Sequence, residues 1–523
     1  MINRRLQLVL LTGTVLTVLF FWLTEIPLGV PGEWTWNRIR IDDGQTTDLL
    51  LGGGMAVIAG LLYIGLAWMG DQRMAVGHRL ETAGWMTGLV AIGFLWLSAI
   101  QDSPPGEEPQ LKPMLVLYDP GTSGYFFEAS HHIETVSAFL AGYEERMTQG
   151  DVLHVGTHPP GLFVFHYGLI QLCRSSTGFS NLILQTQPQR VAEAFSEVEP
   201  GISPLNLRLR ESDRAALWLA ALVTQLVGVL TVVPLFLLLR RDYSRRTSWR
   251  VTVLWPLVPA LAIFLPKSDA LYPALGLFFL WVWLEGRCRH SRVMCLSAGL
   301  LIWLGMFLSL AFVPIAVLAV LLTVWEYKNS GEANTANAAR RKLLISIVWA
   351  TVGLIIPIVA LWFAYDINMF KVWLWNYRNH ASFYEQYSRT YWKWLLVNPL
   401  ELIFAVGAPI VIICGVAMFR SFGSQGNRRS RFGAYCLCPI VWGVLWLSGK
   451  NMGEAARLWL IFIPWCIWLT VAHLDVNFES QAESRSTTRT SQGQRDWLFL
   501  LVMQTIVCIA TVSRVRGFQF AGL

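Results

Sequence analysis

Along most of the chain apolar residues run continuously, and short polar stretches rich in arginine cut the runs apart. Windows of about 19 residues pick out about thirteen such runs as membrane-spanning helices. They are Leu6–Thr24, Leu49–Met69, Trp85–Ile100, Ala215–Leu239, Val251–Leu265, Ala270–Leu284, Val293–Leu308, Ala311–Trp325, Leu343–Tyr365, Trp394–Phe419, Phe432–Trp446, Leu458–Ala472 and Trp497–Val512. None shows the strict alternation that a membrane β-barrel requires. A bilayer core offers backbone groups no water, so a continuous apolar run must close its hydrogen bonds within a helix. The expected fold class is an all-α polytopic membrane protein.

Every second polar stretch is short and basic: Arg4 and Arg5, Arg73 and Arg79, Arg240 to Arg250, Arg287 to Arg292, Lys328 to Lys342, Arg420 to Arg431, and Arg485 to Arg495. Because Lys and Arg favour the cytoplasmic side, this alternation puts the N-terminus inside and the C-terminus outside, as in a bacterial plasma membrane. The first run reads as a signal anchor, since further spans follow it. The stretch Gln101–Arg214 then lies wholly outside. Its one apolar patch, Gly161–Cys173, is too short to cross and reads as a helix at the outer leaflet. The division expected is 1–84 (two spans), 85–473 (the core) and 474–523 (a cytoplasmic linker, with Ser480–Gln494 disordered, and a last span).

Composition agrees. Hydrophobic residues make up 54% and charged ones 14%, against about 25% charged in soluble domains. The net charge of +7 is carried by the basic loops, so it is a topology signal and not a nucleic-acid footprint. Most of the cysteines lie in apolar runs, and Cys436-x-Cys438 is too tight for the usual zinc spacing. No internal repeat of the kind many transporters show is visible.

Candidate chemistry concentrates in the outer stretches. Leu117-Tyr-Asp-Pro-Gly-Thr-Ser-Gly-Tyr125 is turn chemistry. Thr122 or Ser123 can cap a helix reaching about Met147, whose apolar stripe (Tyr125, Phe126, Ala129, Ile133, Val136, Phe139, Leu140, Tyr143) predicts that it lies flat on the membrane. His158-Pro-Pro-Gly161 is a rigid element, with Gly161 permitting close approach. Five of the nine histidines fall in this stretch. His154 and His158 are spaced for zinc on a helix, but the prolines argue against a helix there and no third ligand completes a site. Metal dependence stays open. Taken singly, Asp119 and His158 also fit solvated turn residues.

The pattern Asp119-Pro-x-Thr-x-Gly-Tyr-x-x-x-Ala129, closed by Thr157-His-Pro-Pro-Gly161, resembles the GT-C superfamily of membrane glycosyltransferases that use polyprenyl-phosphate-linked sugars. The resemblance continues at Pro266-Lys-Ser-Asp269 and at Ser448-Gly-Lys-Asn-Met-Gly-Glu-Ala-Ala-Arg457, and covers about Trp85 to Ala472. It implies transfer of a sugar from a lipid-phosphate donor to a glycan, lipid or protein acceptor at the outer face, with Asp119 matching the family's acid in the first outer loop. Such transfer needs a base for the acceptor hydroxyl and cations for the departing phosphate. Asp119 is the expected base, in a displacement that inverts the anomeric centre. Lys267 and Arg457 are expected to hold the phosphate, with His158, Asp269 and Glu454 as orienting groups. Tyr125 and Arg378 are expected substrate contacts, Arg378 within an aromatic-rich loop that also fits interfacial anchoring. Arg457 equally fits a headgroup anchor or an ion pair with Glu454. Glu128 reads as part of a solvated helix face. The rival readings are a lipid-linked-sugar flippase or transporter and a non-catalytic scaffold of envelope assembly.

Overall fold

The computed structural model describes residues 4–41, 43–106, 108–202, 208–329, 336–422, 428–474 and 487–518. The expected linker at Ser480–Gln494 lies partly outside these residues; from Thr487 onward the chain is already helical. Among the described residues the architecture is helical, with one small sheet. Among the described residues seven helices are long and apolar enough to cross a bilayer: Arg4–Leu23, Thr46–Met74, Arg79–Gln101, Glu211–Leu239, Leu310–Lys328, Asn337–Tyr365 and Gln492–Val512. The chain is therefore a multi-pass membrane protein by the length and composition of its helices.

The expected span over Trp394–Phe419 is broken. Tyr391–Val406 and Ala408–Phe419 meet at 113°. The cause is local: Gly407 takes a left-handed φ of +98°, and the side chain of Gln504 fills the space where a Cβ would stand. Gln504 donates to the Val406 carbonyl at 2.9 Å, satisfying one of the backbone oxygens the break exposes. The apolar helices Arg292–Leu308, Cys436–Leu447 and Leu460–Leu469 are shorter than a bilayer asks for.

Val251–Leu265, expected as a span, is not one. It is divided among the helix Arg245–Thr252, a 3₁₀ turn Trp255–Leu257 and the helix Pro259–Phe264. Pro256 and Pro259 lack the N–H that a continuing helix needs. Every residue of this stretch is buried, so its apolar character reflects a protein core and not a lipid contact.

The lipid-facing helices show the opposite pattern. On Thr46–Met74, Leu50, Leu51, Ile58, Leu61 and Leu62 are exposed, while Ala56, Gly60, Tyr63, Ala67 and Gly70 are buried. The small residues allow close approach; a Cβ on Gly70 would stand 2.2 Å from the Trp249 ring.

Two further expectations change. The helix expected to run from Thr122 to about Met147 is three short helices, Tyr125–His131, Val136–Ala141 and Tyr143–Thr148. Thr135 caps the second by accepting from the Ala138 N–H, and Gly142 divides it from the third. Their apolar stripe does not lie on a membrane. Tyr125, Phe126, Phe139, Leu140 and Tyr143 are buried in a core shared with Gly161–Ser175 and Glu211–Leu230.

The stretch before the second long helix also folds. Strand β1 (Leu28–Val30) pairs antiparallel with β2 (Trp34–Arg38), and β2 pairs antiparallel with β3 (Val515–Arg516), near the other end of the chain. One end of the molecule thus gathers the polar stretches that the charge alternation placed on one side. The opposite end gathers the arginines of the short basic stretches: Arg246 and Arg250 on Asp71, Arg241 near Glu285, and Arg287 on Glu326.

Candidate functional site

A cavity of about 420 Å³ opens among the stretches that lack the basic clusters, within the range of about 300–1000 Å³ usual for small-molecule sites. Its walls come from six separate parts of the chain: β2, the 121–158 region, 267–269, 380–389, 452–458 and 516–518, the last beside β2.

The 121–158 wall is built by hydrogen bonds rather than by regular structure. The Asp151 carboxylate accepts the backbone N–H groups of Leu153, Val155 and Gly156 at 2.7–3.1 Å. Asn376 and Asn379, both buried, donate to the carbonyls of Gly156 and His158 at 2.9–3.0 Å, and Tyr143 donates to the His158 carbonyl at 2.6 Å. Gly161 is required at the exit, since a Cβ there would stand 2.3 Å from the Phe307 carbonyl oxygen. His158 is held at Nδ1 by the Thr157 hydroxyl at 3.0 Å. Burial, with Lys267, His380 and Arg457 nearby, pushes its pKa down to about 3. It is a neutral hydrogen-bonding group at physiological pH, not a cation.

Lys267 enters from the loop before the 3₁₀ turn Ser268–Leu271. It is buried, donates to the Thr122 carbonyl and lies 5.8 Å from the Tyr125 ring centroid. Burial first, then the charge of Arg457, lower its pKa to about 7, against the pull of Asp269, Glu454 and Asp119. Burial pushes the Asp269 carboxyl up, with Arg457 and Lys267 opposing.

Arg457 lies on the short helix Ala455–Leu458. Its Nη2 meets Glu454 Oε2 at 2.6 Å and its Nε lies 4.0 Å from Asp269 Oδ2. Burial works against its charge, but Glu454 and Asp269 outweigh it and raise its pKa. The preceding loop is strained. Asn451 and Glu454 join Gly449 and Gly453 at φ between 53° and 83°, a region that costs a side chain about 1–2 kcal/mol. Asn398 donating to the Asn451 carbonyl at 3.2 Å, Trp459 donating to Asn451 Oδ1 at 3.2 Å and Met452 N–H donating to the Tyr384 hydroxyl at 3.0 Å hold it. Strain of this kind gathers at functional sites.

Tyr125, His158, Lys267, Asp269, Glu454 and Arg457 therefore share one cavity. Asp119 and Arg378 are not among its lining residues. The Asp119 carboxylate accepts from the Thr122 hydroxyl at 2.5 Å and the Gly121 N–H at 3.3 Å, so it stands one turn behind Thr122, which does line the cavity. Thr122 thereby closes the turn instead of capping the next helix, which begins at left-handed Gly124. Arg378 is exposed, with its guanidinium 5.3 Å from the Trp375 ring centroid. Glu128 is partly exposed and pairs with Arg146 at 2.9 Å and His132 at 3.1 Å. Among the described residues no group of three His, Cys, Asp or Glu is placed to hold a metal ion.

The sequence reading passed over Trp34, Asn37, Asn376, Asn379, Arg389 and Arg516. Two asparagines one helical turn apart, amid the aromatics of Met369–Gln386, were a readable signal, because a buried amide needs partners. Arg516 and the β2 residues gave none, since each reaches the cavity only through strand pairing.

No protein-family model matches the chain, and no curated protein matches it. Among solved structures it is similar to the oligosaccharyltransferase of Archaeoglobus fulgidus, crystallised with zinc and sulfate, at 13% identity and a TM-score of 0.41, over 76% of this chain and 53% of that one. The chain spans about half the length of that structure, and a likeness of this degree assigns neither fold nor activity.

Proposed function

We propose that this protein is a membrane glycosyltransferase that moves a sugar from a polyprenyl-phosphate-linked donor to an acceptor at the outer face. The observation that supports it is the convergence of Lys267 and Arg457 in one recessed cavity with two carboxylates, from segments far apart in sequence. Buried charges there are costly to keep, and a phosphodiester is the anion such a pair suits. The sequence motifs shared with the GT-C superfamily run through the same segments.

In this reading Lys267 and Arg457 hold the donor phosphate as it departs. Neutral His158 donates its Nδ1–H to Thr157, whose own hydrogen goes to the Leu153 carbonyl, so its Nε2 accepts a hydrogen bond from a substrate hydroxyl. Asp269 and Glu454 both lie against Arg457, which fixes the guanidinium. Asp119 has only a hydroxyl and an amide on its carboxylate, with further acceptor sites open. It takes the acceptor proton once that hydroxyl displaces Thr122, in a single displacement with inversion. The protein supplies position and charge, and no cofactor is invoked.

One observation favours a second reading, movement of a lipid-linked sugar across the membrane. Glu401, in the broken span, is fully buried; its carboxyl faces the N–H groups of Ala455 and Ala456 without a formed hydrogen bond. Ionisable groups within membranes and at discontinuous helices often mark transport paths.

Purified protein in nanodiscs, offered a panel of polyprenyl-phosphate sugars with candidate acceptors, separates the two. Release of polyprenyl phosphate with formation of an inverted glycoside is the outcome expected. Donor binding with no release, across the panel, contradicts transfer and favours transport.

A further inference from the structure

The cavity has a second part, built by β2, which lies outside the region that resembles the GT-C superfamily, and by residues 383–387 within that region. We infer that this part is an acceptor subsite for a saccharide, formed by Trp34, Thr35 and Asn37 of β2 facing Phe383, Tyr384 and Tyr387. The inference rests on the glycosyl-transfer reading and names the acceptor class for that site.

Strand alternation, with its period of two, puts Thr35 and Asn37 there; Trp34, on the same side as Trp36 by that period, lines the cavity from the start of the strand, its ring 6.2 Å from that of Trp394. Trp36 is buried and meets Phe264 edge-on at 5.9 Å, so that side of the strand faces the core. Thr35 and Asn37, on the other side by the period of two, line the cavity together with Trp34.

The strand is held at three points. Glu33, at the hairpin turn, accepts from Thr390 N–H at 2.8 Å, Thr390 hydroxyl at 2.6 Å and Trp394 Nε1 at 2.7 Å. Arg38 donates to the carbonyls of Phe20 and Thr24 at 3.0 and 2.8 Å, at the end of the first helix. Asn37 and Arg38 pair with Arg516 and Val515. So anchored, β2 is a fixed wall and not a lid, as a pre-organised binding surface needs to be.

The chemistry of the two parts differs. Both carboxylates of the lining, Asp269 and Glu454, lie beside Arg457. The part formed by β2 and 383–387 offers aromatic faces with hydroxyls and a primary amide. Phe383 and Tyr387 stack at 4.9 Å and 25°, and Tyr387 is 42% exposed. Aromatic faces suit the C–H faces of a pyranose ring, and Asn and Thr can both donate to and accept from hydroxyls. A lipid acceptor would call for an unbroken apolar wall, which these residues do not make.

The test uses the full chain in nanodiscs and a panel of neutral tri- to hexasaccharides, with binding read by saturation-transfer NMR. At least one saccharide is expected to bind wild type. Trp34→Ala and Asn37→Ala should each weaken that binding about tenfold or more, while Trp34→Phe, which keeps an aromatic face, retains it. Arg457→Gln, which alters the donor part, should leave it in place. The subsite is overturned if no saccharide binds wild type, if binding survives both alanine substitutions, or if a short peptide or a lipid binds there instead. Polyprenyl phosphate release is measured in parallel. Saccharide binding without release sinks the transfer reading alone; release that ignores Trp34 and Asn37 sinks the subsite alone.

Discussion

Lys267 and Arg457 respond in opposite ways to the same burial, and the difference is measurable. Arg457 keeps its charge because two carboxylates face it. Lys267, with a pKa lowered to about 7, is charged below that pH and neutral above it. A phosphodiester donor does not titrate in this range, so its affinity should fall as pH rises through about 7. Loss of one charge-assisted hydrogen bond, worth about 1.5–3 kcal/mol, corresponds to roughly ten- to hundredfold weaker binding. Donor KM measured from about pH 6 to about pH 9 should rise in wild type and stay nearly flat in Lys267→Arg, since arginine remains charged throughout. A flat wild-type profile would remove Lys267 from the phosphate site. At this scale a cation at the edge of an apolar run was the legible mark, because such charges are costly; it singled out Lys267 and Arg457, which share the cavity with Asp269 and Glu454. That Asp119 stands behind Thr122, and that Arg378 lies outside the lining, depends on a turn's own hydrogen bonds and on which face of a helix a side chain occupies, which the sequence pattern does not show.

Single elements are fixed by polar anchors that the hydrophobic pattern does not show. The hairpin of β1 and β2 depends on Glu33. Burial opposes its charge, but hydrogen bonds from Thr390 and Trp394, with Lys393 at 3.6 Å, lower its pKa to about 2. A lowered carboxylate pKa stabilises the fold above the ordinary value, and the contribution is lost as pH falls from about 4.5 towards about 2. Amide protection factors of residues 28–38 should drop across that window, and Glu33→Gln should reproduce the drop at neutral pH. Unchanged protection would mean that Arg38 and β3 hold the hairpin without Glu33. At the other end of the molecule, Asp71 receives Arg246 at 2.7 and 2.9 Å and Arg250 at 2.6 and 3.0 Å, and is fully buried. Asp71→Asn leaves two guanidinium groups without their charge partner and should destabilise the protein by about 3–5 kcal/mol, read as a lowered unfolding midpoint in detergent. Asp71→Asn combined with Arg250→Met should recover part of the loss. These anchors escaped the sequence reading because their partners are remote in sequence. The short helices of 125–148 escaped it because Thr135 and Gly142 interrupt a periodicity that otherwise reads as one helix.

At the scale of the whole molecule, alternation of basic and non-basic stretches foretold which of them meet. The all-helical membrane class was legible in continuous apolar runs. The number of spans was not: a fully buried stretch such as Val251–Leu265 is as apolar as a lipid-facing one, and only packing distinguishes them. The proposed orientation puts the cavity outside. In a Cys288→Ser background, a membrane-impermeant maleimide should label Gln149→Cys on intact cells. With Cys288 restored and residue 149 left as glutamine, exposed Cys288 at the arginine end should label only after permeabilisation. The reverse pattern would turn the protein over and place the cavity inside. The most direct test of the account is the rate of polyprenyl phosphate release from the active donor, wild type against Asp119→Asn, with donor binding measured on both. The account predicts release lowered by about 10²–10⁴-fold in the variant, the usual contribution of a general base, with donor affinity retained. Wild-type release from Asp119→Asn would contradict it.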